Sequence, residues 1–138
     1  MELSDVHAER GIIGCWLQGA VCDDLESRWI RDESRRLLWC GVDWLRHEAD
    51  WHTPWSPHPT HVLGAAISNA ERVAHSLTKT SVWRWDTDPR VELAKCLDEA
   101  TMPPILDYYI QRIRDRFNRI CEITEAERRL QQLIAEVS

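Results

Sequence analysis

The sequence predicts an all-α fold, a compact orthogonal bundle of about five to six helices followed by a long helix or a helical hairpin. Three observations predict it. Apolar residues recur at three- and four-residue steps over most of the chain, which puts them on one side of a helix with 3.6 residues per turn. No segment alternates apolar and polar residues as a half-buried strand does. Capping residues, glycines and prolines fall between the periodic segments, where helices start and stop.

Asp5 can cap a first helix running to about Gln18, with Ile12, Ile13, Trp16 and Leu17 on one face and Gly19 placed to end it. The acidic segment CDDLESRWI predicts one or two turns of a second helix. Asp32 caps a third, and Glu33 sits in its first turn, where the helix dipole favours a negative charge. There Leu37, Leu38, Gly41, Trp44, Leu45 and Glu48 fall at helical spacing, and the helix is expected to stop near Ala49. WHTPWSPHPT, residues 51 to 60, holds three prolines, each removing a donor and restricting its predecessor, so it reads as a loop. Thr60 can cap a fourth helix through Leu77, with Val62, Leu63, Ala66, Ile67, Ala70, Val73, Ala74 and Leu77 at helical steps. After the loop TKTSVWRWDTDP, Pro89 suits the first turn of a short fifth helix, RVELAKCLDEA.

From Pro104 a stripe of Leu106, Ile110, Ile113, Phe117, Ile120 and Ile123 runs on through Leu130, Leu133, Ile134 and Val137. One long helix or two helices produce such a pattern. Thr124 followed by Glu127 is a capping-box spacing, which predicts a break there and a tail folded back as a hairpin. Residues 1–102 then form the globular bundle and residues 103–138 the long helix or hairpin, within one structural domain.

A chain of 138 residues is long enough to bury a sizeable core without a covalent staple. Its net charge of −6 argues against a broad electrostatic grip on phosphate backbones, so nucleic acid is expected to be met at most indirectly. No run of about 18 apolar residues is present and MELSDVHAER lacks the sections of a signal peptide, so no membrane contact and a cytoplasmic location are expected. The five cysteines, Cys15, Cys22, Cys40, Cys96 and Cys121, are dispersed and form no CxxC pair, as reduced core-filling residues do. Six of the eight tryptophans cluster at Trp39, Trp44, Trp51 and Trp55 and at Trp83 and Trp85, which fits core and loop packing.

No phosphate-cradling GxxxxGK[ST], no GxGxxG, no HExxH and no GxSxG occurs, so neither a nucleotide cofactor nor common hydrolase chemistry has a foothold. No catalytic, cofactor-binding or metal-binding residue is assigned. His52, His58 and His61 could share a divalent metal with His47 or Asp50, but their proline-broken spacing offers no paired ligands and they read as exposed loop residues. The runs RDESRR and QRIRDRFNR alternate charges on helical surfaces, which reads as a solvated face. Arg112, Arg114, Arg116 and Arg119 in the second run are also suited to an acidic partner.

His7-Ala8-Glu9-Arg10-Gly11-Ile12-Ile13-Gly14-Cys15-Trp16-Leu17 resembles the opening helix of the N-terminal domain of DnaB-type replicative helicases, which carries an Ala-Glu pair, then Val/Ile-Leu-Gly, then an aliphatic residue. Ser34-Arg35-Arg36-Leu37-Leu38, with Val42 and Leu45, is similar to that family's third helix. The stretch Leu97 to Arg119 resembles its passage of leucine, proline turn, tyrosine and Ile/Val-Arg-Glu-Lys, with Tyr109, Ile113, Arg114, Asp115 and Arg116 at matching positions. The family's Gly-Gly-x-x-Tyr-Leu segment is replaced here by TKTSVWRWDTDPRVEL, and the loop WHTPWSPHPT is longer and more aromatic than its counterpart.

The resemblance implies a domain that does no chemistry itself. It would pair subunits in the collar of a hexameric helicase and offer a dock for primase or a helicase loader, the ATP-driven motor lying elsewhere. The implied partners are a second copy, as a dimer or a ring of dimers, and a primase or loader. The expected interface is Leu106, Tyr109, Ile110, Ile113, Phe117, Ile120, Leu130 and Ile134. Two other readings compete: the helicase-binding domain of a primase or loader, and a small metal-dependent enzyme using the loop histidines.

Overall fold

The computed structural model describes residues 4–47, 59–100 and 106–138, with the side chains of residues 59–63 excepted. Five α-helices account for most of these residues, with no strand among them: α1 (Val6–Leu17), α2 (Glu33–Leu45), α3 (Pro59–Lys79), α4 (Pro89–Glu99) and α5 (Leu106–Val137). The all-helical expectation holds. CDDLESRWI gives the shorter of the expected one or two turns, a single 3-10 turn at Ser27–Trp29. The third predicted helix, α2, ends at Leu45 rather than near Ala49.

Three helix starts follow the capping chemistry of the sequence, while α3 begins at Pro59, ahead of the expected cap Thr60. Asp5 accepts from the Ala8 N–H at 3.1 Å, Asp32 from the Arg35 N–H at 3.0 Å and Asp88 from the Arg90 N–H at 2.9 Å, with Pro89 at the first helical position of α4. Each bond satisfies one of the amide donors that a helix start leaves free. α1 ends at Gly19, whose φ of 91° is easy for a residue without Cβ. The Ala20 N–H returns to the Cys15 carbonyl and the Gly19 N–H to that of Trp16, both at 3.0 Å, which closes a Schellman cap. The same bonds end α3, from Val82 to Leu77 and from Ser81 to Thr78, but there the left-handed position, φ 58°, is held by Ser81.

α1 is the hub. It packs against α2, α3, α4 and α5, and every residue from Gly11 to Leu17 is buried. A helix apolar on all sides has to be enclosed, and α1 is. Its two internal glycines make the enclosure close: a Cβ on Gly11 would overlap the Tyr109 ring of α5, and one on Gly14 would overlap the Cys96 carbonyl of α4 and the Ala100 Cβ. Trp16 donates to Asp43 of α2 at 3.1 Å and meets Trp39 edge to face at 5.8 Å between ring centroids. Asn69, buried on α3, donates to the Leu17 carbonyl, and Gln18 donates to the Ala100 carbonyl at 2.6 Å. The far side of the core is built from Leu38, Val42 and Leu45 of α2 with Ala66, Ala70, Val73, Ala74 and Leu77 of α3.

Candidate interaction site

α5 changes character along its length. At its base Leu106, Tyr109, Ile110 and Ile113 are buried among the core residues, with Ile113 only 1% exposed. Tyr109 donates from its hydroxyl to the Glu99 carbonyl at 3.3 Å, and burial pushes its phenol above the ordinary range. One turn on, Arg112 Nε donates to Asp5 at 2.8 Å, tying α5 to the N-terminal cap of α1. Phe117 lies beneath two guanidinium groups, with Arg28 at 5.0 Å and Arg31 at 5.8 Å from its ring centroid, a cation–π arrangement that closes the side of the bundle. Ile120 and Ile123 are half-buried.

Every residue after Glu125 is exposed. Leu130 is 58% exposed, Leu133 60%, Ile134 55% and Val137 86%. α5 is one helix of 32 residues, so the predicted break at Thr124 does not form. The Thr124 hydroxyl instead donates back to the Ile120 carbonyl at 2.9 Å, a bond available to threonine inside a helix. No fold-back covers the tail. Pairs at helical spacing support it instead, Glu125 accepting from Arg128 at 2.6 Å and from Arg129 at 3.3 Å.

The expected interface therefore divides in two. Leu106, Tyr109, Ile110 and Ile113 lie inside this chain's own core, Phe117 and Ile120 lie at its margin, and Leu130 and Ile134 stand free of it. Leu133 and Val137 belong with the free pair on exposure.

A second cluster, buried rather than exposed, joins α1 to α2 and α4. Glu9 is completely buried and accepts from Arg35 Nε at 2.7 Å and from the Arg31 amide at 2.8 Å. Arg35 also lies 3.6 Å from Glu92, which holds Arg10 through two bonds of 2.8 and 3.2 Å. Burial pushes the Glu9 carboxyl above its ordinary value, more than Arg35 and the Arg31 amide pull it down, and the nearby Asp32 carboxylate adds to the rise. The Asp5 carboxyl goes the other way: burial raises it, but the Ala8 amide and Arg112 outweigh that and hold it low.

RDESRR is thus not a solvated face. Arg35 is buried, and Arg36 donates to the Ile30 carbonyl at 2.8 Å, so two of its arginines work as internal struts. In QRIRDRFNR, by contrast, Arg114 and Arg119 are exposed as expected.

Burial raises the Cys15 thiol to about 12 and pushes that of Cys96 well above the usual thiol range, so both behave as apolar fillers. Cys40 and Cys121 are exposed. His52, His58, Asp50 and the side chain of His61 lie outside the described residues. Among the described residues no three His, Cys, Asp or Glu side chains come together as a metal site would require, and no helix is long and apolar enough to cross a membrane.

Fold and site together define a small helical bundle carrying a projecting helix with an apolar tail. Compared with known families, curated proteins and solved structures, the chain matches none.

Proposed function

We propose that this chain is a non-catalytic protein–protein interaction module of the kind its sequence resembles, the collar domain of a replicative helicase. In this reading it associates with itself through the tail of α5 and docks a primase or helicase loader. The observation that carries the reading is the tail. Four large aliphatic side chains, Leu130, Leu133, Ile134 and Val137, stand in solvent on a helix that the bundle does not reach. Apolar surface gathered in one place on a charged helix is what a partner covers.

Four of the positions that carry the resemblance, Glu9, Gly14, Arg35 and Tyr109, have a shared role. Glu9 pairs with Arg35, Gly14 lies against α4, and Tyr109 covers Gly11, so all of them meet around α1. They hold the bundle that carries α5.

Sedimentation at several concentrations tests self-association. The wild-type chain is expected to dimerise or form larger rings, and the Leu130→Glu/Ile134→Glu variant to sediment as a monomer with its helical circular dichroism intact. A wild-type monomer at high concentration overturns self-association. Copurification of the chain with the primase and the helicase loader of its own cell tests docking, and recovery of neither overturns that part.

A further inference from the structure

The apolar residues of α5 do not form one stripe. At about 100° per residue, Leu106, Ile110, Ile113, Phe117 and Ile120 share the direction that faces the bundle. Taken on the same scale, Ile123, Ala126, Leu130, Leu133 and Val137 centre about 130° around the helix from it. Burial follows the change, falling from Ile113 at 1% exposed to Val137 at 86%. The second stripe therefore looks away from this chain's own core, and bending the helix toward the bundle would not cover it.

That stripe does not begin at Ile123. Arg116, Arg119, Ile123, Ala126, Leu130, Leu133 and Val137 follow one another at alternating steps of three and four, the period at which two helices keep one edge in contact. Arg119 is exposed and Arg116 half-buried. Arg119 has Glu122 at 4.0 Å, a long pair between side chains 77% and 75% exposed, which water screens. One turn nearer the base, Arg112 is held by Asp5 and takes no part. The seam thus has a cationic end beside the bundle and an aliphatic end at the tail, with Glu122 and Glu127 on its two flanks.

A second copy is a poor match for this pattern. Side by side in the same direction, two copies set Arg116 and Arg119 against themselves and Glu122 beside the second copy's Glu127. Reversed about position 128, they set Glu127 against Glu127, Arg129 against Arg129 and Glu122 beside Glu136. Like charges meet in either orientation, so a helix of complementary charge has the advantage over a second copy.

We propose that the seam is the docking site for a helix of a different chain, and that this helix displaces the second copy. It carries carboxylates at the two positions that meet Arg116 and Arg119, aliphatic side chains at the five that meet Ile123, Ala126, Leu130, Leu133 and Val137, and lysine or arginine beside Glu122 and Glu127. This rests on the reading of the tail as an interaction surface, and it makes self-association and docking alternatives on one seam. The two ends of the seam divide the work. The aliphatic end supplies buried area, whereas the arginines discriminate, since they bond a carboxylate strongly and repel a cation.

The test uses four synthetic peptides, each about three heptads long. Two carry the pattern just described, with glutamate as the carboxylate, and are written in opposite chain directions so that either orientation can form. The other two are the same peptides with those glutamates replaced by lysine. Fluorescence anisotropy of labelled peptide gives affinity, and sedimentation gives stoichiometry. One glutamate peptide is expected to bind the full chain at least about tenfold more tightly than its lysine counterpart, in a complex of one peptide and one chain. Arg116→Glu with Arg119→Glu, helical signal retained, should reverse that preference. Equal binding of the glutamate and lysine peptides, or a preference that the reversal leaves unchanged, overturns the proposal. A dimer that persists with peptide bound overturns the displacement. A chain that self-associates but takes neither glutamate peptide overturns this proposal alone, and one that does neither overturns the reading of the tail as well.

Discussion

α1 and the tail of α5 invert the usual distribution of charged and apolar groups. α1 takes a glutamate into the centre of the bundle, whereas the tail leaves two leucines, an isoleucine and a valine in water. Apolar content alone therefore does not decide what is buried; it is reach that decides. α1 lies where four helices can close on it, and Glu9 is tolerated because Arg35 and the Arg31 amide meet both of its oxygens. The tail lies beyond every other helix, and its own ion pairs keep it helical without covering it.

The most severe way to break α1's side of this comparison is to remove the partner of its buried charge. Arg35→Ala should cost about 3–5 kcal/mol in urea unfolding, because Glu9 would remain buried without a cation. A loss below about 1 kcal/mol would show that water or Arg10 replaces the guanidinium. Next comes Gly14→Ala, which adds one carbon where the Cys96 carbonyl and Ala100 already stand. It should cost about 1–3 kcal/mol as α1 and α4 are forced apart, while the same change at the open Gly64 of α3 should cost nothing.

Acid should weaken the cap of α1. The Asp5 carboxyl is held low, so its contribution is complete above its unfolded value, near pH 4, and is lost as pH falls through the lower folded value. Asp5→Asn keeps a capping oxygen but removes the titration, so the fall of stability below about pH 4 should become shallower, with a loss of about 1 kcal/mol at neutral pH. An unchanged acid limb would exclude Asp5 as its source. Glu9, held high, works in the opposite sense, its contribution being present at low pH and lost as pH rises through its folded value.

The smallest effect belongs to the tail. Leu130→Glu with Ile134→Glu should shift the unfolding of the dilute monomer by less than about 0.5 kcal/mol, since neither side chain touches the core. A larger loss would mean that the tail packs on its own bundle in solution.

Most of this architecture was legible locally. Asp5, Asp32 and Asp88 start helices because a short side chain there can reach a free amide, and Gly19 ends α1 because it alone pays nothing for a left-handed φ. Ser81 fills the equivalent place after α3 with no glycine to announce it. The Thr124–Glu127 spacing suggested a start that the continuous helix does not use, since a capping box works only where the preceding backbone leaves the helix. The Glu9–Arg35 pair was hidden for a different reason. A charge on a helix reads as solvated until the partner, 26 positions away, is known to lie beside it. The site divided in the same way: spacing revealed that α5 is apolar, while the turn of its stripe away from the bundle shows only when the angle is followed residue by residue.

The hub position of α1 also governs how the chain can be made. α1 leaves the ribosome before every helix that covers it, and its contacts reach far along the sequence. Asp5 waits for Arg112, 107 positions later, and Gly11 for Tyr109. Until those residues emerge, α1 carries an uncovered apolar surface and the core cannot close. Helical proteins usually fold fast because their contacts are local. This one joins α1 to the base of α5, so its core closes only once α5 has been made, and α1 is the segment left uncovered longest.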